Sequence, residues 1–125
     1  MTVYSITIPG RPVPKGRPRV ARKGRGYVFY TPKETKHYEQ AVCLAAREVC
    51  KKPLEGPVAV KLRLYFRKKG NVPDCDNCAK SILDGLNGVA YQDDIQVKHL
   101  VVDVYRDTPE RAEIEVGSLK REEVV

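Results

Sequence analysis

The 125-residue chain contains no apolar run approaching the ~20 residues that a membrane-spanning helix requires, which argues against an integral membrane protein. Residues 1–10 alternate like a strand and lack the basic-then-apolar layout of a signal peptide, so a cytoplasmic location is expected. Histidine is nearly missing: His37 and His99 have no spacing that would complete a zinc site with a cysteine pair. Four cysteines, without other signs of secretion, do not indicate a disulfide framework. Cys43 and Cys50 lie about 10 Å apart along a predicted helix, too far for one bond or one ion. Cys75 and Cys78 have the C-x-x-C spacing of a redox pair, but their acidic flanks disfavour a thiolate. All four are expected to be reduced thiols. No repeat and no linker interrupts the chain, so one domain over residues 1–125 is expected. Chains of this length bury roughly two-thirds of their unfolded surface and need no staple.

Acidic residues are also scarce in the first third. Residues 1–40 hold nine Lys/Arg against only Glu34 and Glu39, whereas residues 41–125 hold fourteen of each sign. The whole net charge of +7 therefore falls in one stretch, which points to a face for a polyanion.

Val3, Ser5 and Thr7 alternate with Tyr4, Ile6 and Ile8, a half-buried strand that Pro9-Gly10 ends. Pro9, Pro12, Pro14 and Pro18 forbid a helix or a paired strand and predict an extended arm, part of a basic segment over 9–30. Gly24 and Gly26 within Arg19–Tyr30 suggest a short basic hairpin. Thr31-Pro32-Lys33-Glu34 has the form of a capping box, with Tyr38, Val42, Ala45 and Val49 following at helical spacing until Pro53. Val58, Val60, Leu62, Leu64 and Phe66 alternate with Lys61, Arg63 and Arg67, predicting a strand with one basic face. Residues 77–88 predict a second helix with Ala79, Ile82, Leu83 and Leu86 inward and Asn77, Lys80, Ser81 and Asp84 outward. A final hairpin is expected from Val97–Tyr105 and residues 112–116, with a frayed tail over 118–125. The order implies a mixed α/β (α+β) domain, a mixed sheet covered by two helices.

Carboxylates dominate the stretch Asp74-Cys75-Asp76-Asn77-Cys78-Ala79-Lys80, with Asp84, Asp93 and Asp94 beyond it. In an extended segment Asp74 and Asp76 would point the same way, about 6–7 Å apart between α-carbons. Asp93 and Asp94 approach them if the strand from Val97 neighbours the one ending at Phe66. At 4 Å and an effective dielectric of about 20, each like-charged pair costs about 4 kcal/mol, so such a group calls for protons or a cation. Oxygen donors with incomplete coordination favour Mg²⁺, with Mn²⁺ as substitute, and such an ion suits phosphodiester hydrolysis. Lys80, one turn after Asn77, is placed to orient water or neutralise transition-state charge, and Asp84 to steer Lys80 by an i,i+4 pair. The alternative is that Asp76 or Asn77 merely caps the helix. A calcium loop fails, because with Asp74 first, Cys78 takes the fifth position and Ala79 stands where glycine is needed.

The string Asp74-x-Asp76-Asn77-x-x-Lys80-x-x-x-Asp84-x-Leu86, then Asp93-Asp94-x-Gln96-Val97, resembles the RusA family of Holliday-junction resolvases. Gly10-Arg11-Pro12-Val13-Pro14-Lys15-Gly16-Arg17-Pro18-Arg19 and Tyr30-Thr31-Pro32 resemble its phage and prophage branch. The resemblance implies a homodimer with an α/β fold that makes paired, symmetric, Mg²⁺-dependent nicks across a four-way junction. It places the metal on Asp74, Asp76 and Asp94 and the catalytic lysine at Lys80. Spacing alone does not separate Asp93 from Asp94 as ligand, and Asn77 and Asp84 are given supporting roles. Arg11, Lys15, Arg17, Arg19, Arg22, Lys23 and Arg25 are the expected DNA contacts, with Lys61, Arg63 and Arg67 adding to them. Six phosphate contacts would give a log–log salt slope of about −5. Tyr27, Phe29 and Tyr30 are open to two readings, base stacking or hairpin packing. A flap or fork nuclease with the same residues, or a non-catalytic protein that binds branched DNA, remains the alternative.

Overall fold

The computed structural model describes residues 3–119. In chain order the elements are β1 (Val3–Pro9), β2 (Arg19–Lys23), β3 (Gly26–Tyr30), α1 (Lys33–Val49), β4 (Val58–Phe66), α2 (Cys75–Leu86), β5 (Val97–Arg106) and β6 (Arg111–Ser118). A 3-10 turn, Asp94–Gln96, precedes β5. Four strands form one mixed sheet in the order β1-β6-β4-β5, and β2-β3 form a separate hairpin. The fold is therefore the expected α/β class. Among the described residues no helix is long and apolar enough to cross a membrane.

Alternation builds the core. Val58, Val60, Leu62, Leu64 and Phe66 of β4 are all fully buried. The register sets them beside Ala112, Ile114 and Val116 of β6, which in turn face Ile8, Ile6 and Tyr4 of β1. Each such side chain, fully buried, stabilises the fold by roughly 1.5–3 kcal/mol before the entropy of ordering it is counted. The two helices cover this face through Tyr38, Val42, Ala46, Cys78, Ala79, Ile82 and Leu86.

Several local expectations change once partners are present. Helix α1 starts at Lys33 with Pro32 as its N-cap and no side-chain cap bond, so the Thr31 capping box does not form. The Thr35, Tyr38, Val42, Ala46 stripe is buried, and Val49 is 37% exposed, so the apolar seam runs through Ala46 rather than on to Val49. Ser81 is fully buried instead of facing outward, because its hydroxyl donates to the Val13 carbonyl at 2.6 Å. The largest revision concerns the end of the chain. β5 and β6 do not pair with each other; they flank β4, β5 parallel to it and β6 antiparallel. A parallel pair cannot be joined by a tight turn, and α2 supplies the crossover. The basic face of β4 is likewise neutralised, since β6 sets Glu115 opposite Lys61 and Glu113 opposite Arg63. Ser118 ends β6 and the Leu119 N–H donates to the Pro57 carbonyl at 2.9 Å, so the expected frayed tail does not begin at 118; residues 120–125 lie outside the described residues.

Candidate active site

Helix α2 begins at Cys75, so residues 75–76 are helical rather than extended. Asp74 is the N-cap residue but makes no side-chain cap bond, and Asp76 lies in the first turn. Simple capping therefore does not account for these carboxylates. Their charge is favoured there nonetheless, because the amino end of a helix is the positive end of its dipole. One face of α2, carrying Cys75, Asp76, Ala79, Lys80 and Leu83, looks across a cleft of about 240 Å³ at Leu100 and Val102 of β5, and Asp94 completes its lining. The spacing of the helical positions, three or four residues apart, is what aligns them on one wall.

Parallel pairing decides where Asp94 comes from. β4 and β5 are neighbours, the condition expected for Asp93 and Asp94 to approach the first aspartates, but the pairing is parallel, with Val97 beside Val58 and Arg106 beside Phe66. Asp94 thus enters beside the start of β4, on the cleft that Asp76 and Lys80 of α2 also line. The two adjacent aspartates have different work. The Asp93 carboxylate accepts the Ile95 N–H at 3.1 Å and caps the 3-10 turn, and it is not among the cleft residues. Asp94 is. Gln96 secures this turn: its side-chain oxygen accepts the Gln92 and Asp93 N–H groups, and its nitrogen donates to the Leu54 and Gly56 carbonyls at 2.9 and 2.8 Å. Nothing in the local pattern around Gln96 announces these long-range partners.

The electrostatics of the cleft are acidic. Burial raises the Asp94 pKa above the usual carboxylate range, the neighbouring Asp93 and then Asp84 raise it further, and Lys80 opposes them. The same charges act on Tyr91, whose fully buried ring donates from its hydroxyl to the Leu83 carbonyl at 2.7 Å; burial first, then Asp94, Asp84 and Asp93, push its pKa up. Cys78 lies fully buried on the inner side of α2, and its thiol is pushed up to about 11 by burial, the nearby Cys75 adding to the shift. Such a shift disfavours the thiolate, the reactive form, at neutral pH.

Among the described residues no three His, Cys, Asp or Glu side chains converge tightly enough to enclose a metal ion. Two carboxylates with a lysine between them do line the cleft, and Asp74 stands outside its lining. Mg²⁺ is commonly held by one or two carboxylates, with waters and substrate phosphates filling the remaining positions, so this donor set fits it in kind and number. A larger hollow of about 440 Å³ lies on the open face of the sheet among Lys61, His99, Asp103 and Glu115, and shares no residue with the cleft. Its charges are of both signs, Lys61 against Asp103 and Glu115.

The basic segment divides in two. Arg17, Arg19, Arg22, Lys23 and Arg25 are solvent-facing, on or beside the hairpin, and among the described residues none forms an ion pair. Arg11 and Lys15 are engaged internally instead. Arg11 bonds Glu110 at 2.8 Å and the Asn71 carbonyl at 2.6 Å, and its guanidinium lies over the Phe66 ring. Lys15 bridges Glu39 of α1 at 2.7 Å and Asp84 of α2 at 2.9 Å. Asp84 therefore pairs with Lys15, not with Lys80, and the Asn77 carbonyl accepts the Lys15 backbone N–H at 2.8 Å.

A family model described as Endodeoxyribonuclease RusA matches residues 9–117, most of the chain. The chain is also 28% identical, over an alignment of 135 residues, to the uncharacterized protein YqaN of Bacillus subtilis (strain 168), covering 91% of this chain and 95% of that one.

Proposed function

The chain belongs to the RusA endodeoxyribonuclease family, and on that premise we propose that it resolves four-way DNA junctions by paired, symmetric nicks. The observation that supports this proposal is that Asp76 and Lys80 of α2 and Asp94 of the turn before β5 line one cleft.

Asp76 and Asp94 would hold a Mg²⁺ ion, for which Mn²⁺ can substitute, with Asp74 as a further ligand by its place in the family motif. Bound there, the ion would polarise the scissile phosphate and lower the pKa of a water molecule. The chain itself supplies the rest. Lys80, which lines the cleft and forms no ion pair among the described residues, would neutralise charge building on the phosphoryl oxygens as water attacks. Ala79, Leu83, Leu100 and Val102 give the cleft apolar walls, which would lower the local dielectric and strengthen that interaction. The exposed cations of the hairpin, which form no ion pair among the described residues, would hold the DNA backbone. Resolution takes two cuts in strands of like polarity, and a two-fold homodimer presents two identical sites for them.

The test is incubation of the protein with a labelled four-way junction, in Mg²⁺ and in EDTA, with Asp76→Asn beside it. Paired symmetric nicks by the wild type in Mg²⁺ alone are expected. Cutting of flaps or forks in preference to junctions would replace the substrate; tight binding without any nick, in Mg²⁺ or Mn²⁺, would make the aspartates structural.

A further inference from the structure

The β2–β3 hairpin carries an aromatic face that nothing among the described residues covers. A two-residue turn, Gly24-Arg25, joins the strands, with Gly24 at φ +60° supplying the backbone conformation that such a turn demands. The register pairs Val20 with Phe29 and Arg22 with Tyr27, so these four side chains share one face. Phe29 is 76% exposed and Tyr27 68%, whereas Phe66, the other phenylalanine of the chain, is fully buried. Among the described residues no other helix or strand packs substantially against the hairpin.

Two further features say what meets this face. Residues 17–30 contain five Lys/Arg and no acidic residue, so aromatic rings are interleaved with unpaired cations. That combination matches a ligand with flat π faces strung on phosphates. The root of the hairpin is also fixed. The Gly16 N–H donates to the Thr35 hydroxyl at 3.0 Å, that hydroxyl donates to the Pro14 carbonyl at 3.2 Å, and Lys15 ties the arm to both helices. The projecting strands thus stand on a base bonded to α2, the helix that carries Asp76 and Lys80.

We propose that Tyr27 and Phe29 stack on nucleobase faces left unstacked at the branch point of the DNA, and that this contact, rather than phosphate binding, separates branched from linear substrates. An intact duplex keeps its bases stacked on one another and offers the hairpin only its backbone. A branch point exposes base faces to the two rings. The proposal rests on the junction-nuclease function above and adds to it the element that recognises the branch.

The experiment uses the full chain in EDTA, where binding is read without cutting. The probes are a four-way junction with 2-aminopurine at the exchange point and a linear duplex of the same sequence. Wild-type protein should change the 2-aminopurine fluorescence on binding. Tyr27→Ala with Phe29→Ala should abolish that change and weaken junction binding roughly 5- to 150-fold per lost stack, with duplex binding altered by less than about twofold. Phe29→Tyr, which keeps a ring, should retain the signal. Equal weakening on both DNAs, an unchanged fluorescence response, or an altered oligomeric mass of the double variant in light scattering would overturn the proposal. The last would make the face a contact between copies of the chain. A wild type without any preference for the junction would defeat the junction-nuclease function itself, and this proposal with it; a preference that survives the double substitution defeats this proposal alone.

Discussion

Lys15 and Asp84 stand 2.9 Å apart, joining the proline-rich arm to the helix that bears the candidate catalytic lysine. Burial works against the Lys15 charge, but its bonds to Glu39 and Asp84 prevail and hold its pKa above the ordinary lysine value of 10.5. The pair is part-buried, and removing the cation leaves two carboxylates facing each other between α1 and α2. This contact ties the arm that leads into the hairpin to the helix that lines the cleft.

Lys15→Met should therefore lose about 1–3 kcal/mol of stability in urea unfolding. Because the folded-state pKa of Lys15 is raised, its contribution is fully present below 10.5 and fades as pH rises through the folded value. The difference between wild type and Lys15→Met should hold steady at neutral pH and shrink in alkali. A difference that grows in alkali would contradict the ion-pair account.

Asp93 and Asp94 should separate cleanly. Asp93→Ala removes the cap on Ile95 and should lower stability by about 0.5–2 kcal/mol while junction cutting survives. Asp94→Asn should abolish cutting with little change in thermal stability. Parallel melting curves and gel assays decide, and loss of cutting in both variants alike would remove the distinction.

Gly85 marks the closest approach of the helices. A β-carbon there would lie 2.7 Å from Val42 Cβ and 2.8 Å from the Glu39 carbonyl oxygen. Gly85→Ala gains up to ~1 kcal/mol in helix propensity but overpacks the interface, for a net loss of about 1–2 kcal/mol. Thermal unfolding should show a midpoint lower by several degrees.

The cysteines should differ in reactivity. Cys75 is exposed, whereas Cys78 is buried with its thiol pushed up to about 11. Iodoacetamide at neutral pH should modify Cys75 in the native protein and reach Cys78 only after unfolding, as mass spectrometry of peptides would show. Equal labelling of both in native protein would mean that α2 opens readily.

Cations of the same segment should fall into two classes. Arg22→Ala, Lys23→Ala and Arg25→Ala together should reduce the log–log salt slope of DNA binding by about 3. Arg11→Ala should leave that slope alone and instead lower stability, since its partners are Glu110, the Asn71 carbonyl and the Phe66 ring. Titrations at several salt concentrations, with melting curves, test both halves.

Much of this architecture is legible residue by residue. Alternation along Val58–Phe66 specifies a buried strand because side chains of a strand point to opposite faces, and the observed β4 has those bounds. The glycines at 24 and 26 mark a hairpin for an equally local reason. The C-terminal strands were a different matter: each is visible by its own pattern, but the short Asp107-Thr108-Pro109 turn suggests that they pair with each other. They do not, because β4 offers both of them a fully buried neighbour and the loop simply passes over its end, with the Asp107 N–H donating to the Phe66 carbonyl at 2.8 Å.

The sequence by itself determined the element types, the concentration of positive charge before residue 40 and the aspartate-lysine motif, since each is a matter of residue chemistry or short-range periodicity. Tertiary structure alone decided which cations remain free, which of two adjacent aspartates faces the cleft, and why Ser81 is inside. Those outcomes depend on partners far along the chain: Glu110 for Arg11, Glu39 for Lys15, Val13 for Ser81, Leu100 and Val102 for the cleft of Asp94. A charge pattern fixes how many ionic groups a protein has, but only packing determines which of them find a partner before the substrate does.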